Sequence, residues 1–157
     1  MKAWSLPLES SMMVYVTLNL RNSIGATMPT TPVAESAFLT GIFDKLPILE
    51  AATTSRVVVN NAVLRHVVFS FDAGQVLTEH ASPRAVVVQL LSGKMRFRVG
   101  DVTHDLTGGD VVYLAPGDRH ALEALDPCYM ALTLVDVENT AYAAKEILDR
   151  TAEEAKK

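Results

Sequence analysis

Residues Gly74–His120 read GQVLTEHASPRAVVVQLLSGKMRFRVGDVTHDLTGGDVVYLAPGDRH, and this stretch decides the fold. Short apolar runs are broken at Asp72-Ala73-Gly74, Ser92-Gly93, Gly100-Asp101, Thr107-Gly108-Gly109 and Pro116-Gly117-Asp118. Glycine reaches the left-handed region and proline presets φ, so these clusters are turn chemistry. Between them lie five strands: Val76–His80, Ala85–Leu91, Lys94–Val99, Val102–Leu106 and Asp110–Leu114. Lys94–Val99 alternates most cleanly, with Met95, Phe97 and Val99 against Lys94, Arg96 and Arg98, the period of two of a half-buried strand.

Working outward, Arg56–Asn60 is a β-branched run, Asn60-Asn61 is a hairpin turn, and Ala62–Phe71 alternates. In the latter, Val63, Val67, Phe69 and Phe71 share a face with Arg65, while Leu64, His66, Val68 and Ser70 share the other. Downstream come His120–Leu125, a turn at Asp126-Pro127, and Cys128–Val135. Many short, evenly spaced strands indicate an all-β sandwich or barrel. Ile42–Leu49, with Pro47, has room for one short helical turn. Asn139–Lys157 reads as a C-terminal helix with Asn139 or Thr140 as N-cap and Tyr142, Ile147, Leu148, Ala152 and Ala155 on one side. The expected organisation is residues 1–32 as an N-terminal arm or mis-assigned start, residues 33–138 as the β-barrel, and residues 139–157 as the helix. Within 1–27, Val14, Val16, Leu18 and Leu20 alternate with polar residues as an edge strand would, and Met28 is an alternative start.

Composition bounds the function. The chain has 157 residues, 49% of them apolar and 20% charged, the balance of one ordinary globular domain. A net charge of −4 offers no basic footprint for nucleic acid. No apolar run approaches the ~20 residues of a membrane helix. Cys128 is the single cysteine, so no internal disulfide forms, and a reducing, cytoplasmic setting is expected.

Gly74–His120 resembles the two motifs of the cupin superfamily, small RmlC-like jelly-roll barrels. In the first motif Gly74, His80 and Gly93 fall in place, whereas Ser82 stands at the second histidine position and Val86 at the glutamate position. In the second, Gly109, Gly117 and His120 fit, proline is shifted by one to Pro116, and Ala124 occupies the asparagine position. Glu79-His80-x-x-Pro83 followed by Gln89-x-Leu91-x-Gly93 is most similar to small single-domain bacterial cupins. The resemblance implies an all-β cupin-type double-stranded β-helix, here with a short C-terminal helix. It also implies a pocket whose usual metal set, three His and one Glu holding a divalent iron, manganese, nickel or zinc ion, is half missing.

Residues two apart on a strand share a face, which places His80 and Ser82 together and lets His120 meet them from another strand. Glu79 and Glu123 sit at odd spacing from the histidines, and alternation sends them to the other face unless a bulge intervenes. His80 and His120 are therefore the candidate metal ligands, one short of the three protein ligands of a catalytic zinc site. Without metal they orient a small polar ligand as switchable donors and acceptors, or hydrogen-bond as core groups. Ser82, Tyr113 and Gln89 complete the candidate ligand-lining set. Tyr113 alternates with Val111 towards the barrel mouth. Gln89 lies three residues from Val86 and should face away from the metal position, either as an amide buried between the sheets or at a dimer interface or, through a bulge, lining the pocket. His66 and His104 read as structural histidines and Cys128 as a buried thiol. The Lys94, Arg96, Arg98 stripe reads as a solvated face, or as one paired with acidic groups.

There is no G-x-S-x-G, P-loop, G-x-G-x-x-G, C-x-x-C or H-E-x-x-H pattern. Three classes stay open. One is a small-molecule-binding cupin without a tightly bound metal. The second is a metal-dependent dioxygenase- or isomerase-like enzyme with a reduced ligand set. The third is a non-catalytic structural dimer. A homodimer is expected because jelly-roll edges need protection.

Overall fold

The computed structural model describes residues 30–136. The expected N-terminal edge strand and the C-terminal helix from Asn139 lie outside the described residues. Nine strands form between them: β1 (Thr53–Asn60), β2 (Leu64–Phe71), β3 (Val76–His80), β4 (Ala85–Ser92), β5 (Lys94–Val99), β6 (Val102–Thr107), β7 (Val111–Leu114), β8 (His120–Ala124) and β9 (Cys128–Val135). They pair antiparallel in a five-stranded sheet ordered β1-β2-β9-β4-β7 and a four-stranded sheet ordered β3-β8-β5-β6. This is the two-layer jelly roll that the resemblance implies, within the all-β class that the turn spacing predicts.

Alternation builds the core between the sheets. Phe69, Phe71, Val86, Val88, Leu90, Leu114 and Met130 face inward from the larger sheet, against Met95, Phe97, Leu106, Leu122 and Ala124 from the smaller. The Phe69 and Phe71 rings stack 5.8 Å apart inside it. The opposite face of β2 is buried too. Leu46, with Ile42 alongside, packs on Val68 and Ala131, and the Phe43 ring lies 4.5 Å from that of Tyr129. Ser70 is buried on this face, where its hydroxyl donates to Pro47 O at 3.3 Å and meets Thr54 Oγ1 at 2.7 Å. The expected helical turn is a single turn closed by Lys45 N–H on Gly41 O at 3.3 Å, with no helix following. The β1–β2 hairpin is held by Asn61 Oδ1, which accepts from Val63 and Leu64 N–H at 3.0 Å each.

Cys128 is fully buried, and burial, aided by Asp126, pushes its thiol up to about 11. It sits against Gly93, which turns β4 into β5 at φ +80°. A Cβ on Gly93 would lie 2.5 Å from Pro127 O and 2.6 Å from Cys128 Cβ. Gly74 has the same φ of +80° but open space around its Cα. Gly93→Ala is therefore expected to cost about 3 kcal/mol, backbone strain plus overpacking, and Gly74→Ala about 1 kcal/mol, strain alone. Urea unfolding of the two variants measures the difference.

Candidate functional site

The site begins with a break in the β3–β8 ladder. Leu77 pairs with Leu122 and His80 with His120, so three steps along β3 match two along β8. This is a one-residue bulge. Leu77 packs on the core, and strict alternation from it would send Glu79 inward and His80 outward. The bulge reverses this. His80 lies opposite His120, with ring centroids 4.2 Å apart at 58°. His120 is buried, and the Phe97 ring lies parallel to it at 6.0 Å.

Both imidazoles are anchored the same way. His80 Nδ1–H donates to Thr78 O at 2.8 Å, and His120 Nδ1–H donates to Asp118 O at 3.0 Å. A carbonyl only accepts, so each ring carries its proton on Nδ1 and keeps Nε2 as the free nitrogen. Gly117 N–H donates to Ser82 O at 2.7 Å, which ties the loop after His80 to the loop before His120.

The other candidates are placed differently. Ser82 lies beyond the end of β3, and its hydroxyl accepts from Arg84 N–H at 3.1 Å. Gln89 lies on the outer face of the larger sheet, exposed in the single chain and paired with Val111 and Ala131, so it is not buried between the sheets. Tyr113 is 65% exposed. It lines a cavity of about 390 Å³ between the free edges of β6 and β7, together with Phe97, Val99 and His104. That cavity meets the histidines only through shared walls, since Val99 pairs with His120 and Phe97 stacks on it. The cavity supplies mostly apolar wall, whereas the histidine pair presents two adjacent imidazoles. His104 is exposed in the cavity wall. His66 is half-buried, with Nδ1 at 2.8 Å from Thr133 Oγ1, as a satisfied structural histidine would be.

The donor set does not fit the metal centre of the resemblance. Val86 and Ala124 are buried apolar residues in the core. The Glu79 carboxylate is outside, taking Arg119 Nε and Arg98 Nη2 at 2.7 Å each. Glu123 faces Arg96 at 3.7 Å, and Arg96 also grips Asp105 through two hydrogen bonds at 2.9 and 3.1 Å. Arg96 and Arg98 of the basic stripe are thus paired within their own sheet. Among the described residues, no three His, Cys, Asp or Glu side chains cluster as a metal site. Two imidazoles remain, fewer than a catalytic zinc or non-haem iron site uses.

Burial pushes the His120 pKa below the ordinary 6.5, and the neighbouring His80 adds to this while the Asp118 carbonyl opposes it. Burial lowers His66 likewise. A base whose folded pKa is depressed resists a proton that the unfolded chain accepts. Stability is therefore expected to be full above about pH 6.5 and to fall as pH drops below it. Glu79 and Asp105, held down by their arginines, act only below their ordinary values of 4.5 and 3.8. Urea unfolding at pH 7.5 and 5.5 should show the loss, and His120→Gln should reduce it.

Comparison with known proteins places this geometry. The family described as AraC-like ligand binding domain matches residues 68–154. A conserved protein of unknown function from Streptococcus pyogenes is 28% identical and superposes with a TM-score of 0.60, covering 71% of this chain and 97% of that one. A cupin superfamily protein from Desulfitobacterium hafniense (18% identity, TM-score 0.58, 70% and 98% covered) shares the fold. So does an RmlC-like cupin from Shewanella frigidimarina (21%, 0.56, 64% and 91%). Among proteins of curated function, none matches the chain. A jelly-roll core, two cupin motifs joined at a histidine pair and a family match over more than half the sequence agree: the chain belongs to the AraC-like ligand binding domain family of cupin-fold proteins.

Proposed function

We propose that this protein binds a small polar molecule at the barrel mouth through His80 and His120, without a tightly bound metal. The observation that carries this reading is the paired Nδ1–H anchoring of the two rings, which leaves two Nε2 atoms free on adjacent imidazoles. Neutral, they accept from hydroxyl or amine donors; protonated, they donate to an anion. The family's description as ligand binding supports the same class. Two imidazoles with no third ligand clustered beside them among the described residues suit recognition better than metal-dependent oxygenation or isomerisation.

The reading includes a homodimer. Val87, Val111 and Tyr113 are 41%, 58% and 65% exposed on one outer face, and Val87 pairs with Tyr113 across β4 and the edge strand β7. A second copy covering this face would protect that edge. The buried lone cysteine suits a reducing, cytoplasmic setting.

The test is saturation-transfer NMR with a panel of polyols, amino acids and small carboxylates. Ligands found with the parent protein are expected to lose about tenfold or more in affinity on His80→Ala or His120→Ala, the cost of an unmade hydrogen bond. A ligand bound equally by both variants removes the histidines from recognition. In elemental mass spectrometry of protein purified without a polyhistidine tag, iron, manganese, nickel and zinc should each be well below one per chain. Stoichiometric metal lost in the double variant would instead establish a metalloprotein.

A further inference from the structure

Each histidine of the pair follows a charged residue of opposite sign: Glu79 precedes His80, and Arg119 precedes His120. Neighbours along a strand face opposite ways. A register that brings the two rings together inside the barrel therefore brings Glu79 and Arg119 together outside it. Their ion pair is closed at 2.7 Å. Arg98 closes a second pair with Glu79, also at 2.7 Å, and it precedes Val99, the residue paired with His120 on the β5 side. Arg98 Nη1 further donates to Gly100 O at 2.9 Å, while Gly100 N–H donates to Arg119 O at 2.9 Å. One ring of contacts thus joins the β3 bulge, the β5–β6 turn and the residue before β8.

The competing register is defined by the same residues. Leu77 faces the core, so an unbulged β3 would carry Glu79 inward opposite His120, near Phe97, and turn His80 out. A carboxylate there would lose its water and both guanidinium partners. The bulge leaves one β3 residue without a ladder partner and keeps the carboxylate outside, doubly paired.

We propose that Glu79, gripped by Arg98 and Arg119, is the positioning residue that selects the bulged register of β3 and thereby sets the His80 ring against the His120 ring. Its functional meaning rests on the ligand-binding reading, but its test uses no ligand. The same outer contact that orders the strand edge assembles the inner polar pair.

The experiment uses ¹⁵N-labelled full-length protein and two ring signatures: the tautomer shifts of His80 and His120 in long-range ¹H–¹⁵N spectra, and the nuclear Overhauser effect between the two rings. Glu79→Gln is expected to keep a dispersed, folded amide spectrum, to lose at least half of the inter-ring effect and to shift the His80 ring nitrogens. Asp105→Asn breaks the Arg96–Asp105 pair on the same sheet face, away from the bulge, and is expected to leave both signatures unchanged. Unmoved rings in Glu79→Gln overturn the proposal, as do rings displaced equally by Asp105→Asn. If Glu79→Gln does not fold, Arg119→Gln, which removes one of the two cations, carries the same comparison, and unmoved rings there overturn it too. A failed ligand screen would count against recognition by the histidines and leave this outcome readable.

Discussion

The whole molecule depends on the period-two alternation of antiparallel strands over one apolar core. Each strand commits one set of side chains to the interior, and a slip of one residue exchanges the two sets. Phe69, Phe71, Leu90, Met95, Leu114 and Met130 are the residues that make such a slip costly, since each is buried to within 2%. With the core held this firmly, the register break beside the histidine pair falls in the short strand β3, where the ladder carries an extra residue. The candidate chemistry sits at that irregularity because it is where a polar side chain can be aimed inward against the pattern.

The fold was legible in the sequence for the same reason. Turn clusters and alternation placed the strands to within a few residues, and Lys94–Val99 and Cys128–Val135 agree at both ends with the observed elements. The site was legible only in part. His80 and His120 stand out as motif positions, but the right face for His80 was reached by alternation along a strand that does not alternate. Two errors met there. Leu77, not His80, sets the inward phase of β3, and the bulge then restores His80 to the interior. A bulge in a five-residue strand leaves no periodic trace. The signal that was available is the pair of dipeptides Glu79-His80 and Arg119-His120, whose complementary charges report the outer half of the same contact. Gln89 is not between the sheets because β4 alternates and carries it on the outer face, with Val87.

The departures from the cupin pattern have a physical sense as a group. Val86 and Ala124 replace positions where the resemblance expects metal-site residues, and both are 4% exposed or less, packed among Leu114, Met95 and Leu122. Removing a carboxylate from such a place removes a desolvation cost as well as a ligand. At such positions apolar side chains are the stable filling, and His80 and His120 form a small polar island, each held by a backbone carbonyl.

The buried thiol of Cys128 bears on how the protein can be handled. Nucleophilic attack and oxidation proceed through the thiolate, and with a pKa of about 11 only about one thiol in ten thousand is ionised at neutral pH. The side chain is also sealed beneath Gly93 and the β8–β9 turn. The native thiol is therefore expected to react slowly with maleimides and peroxide. A cysteine introduced at an exposed position such as Thr103 would be the sole reactive handle, so a fluorophore or spin label could be attached there without first removing the natural residue.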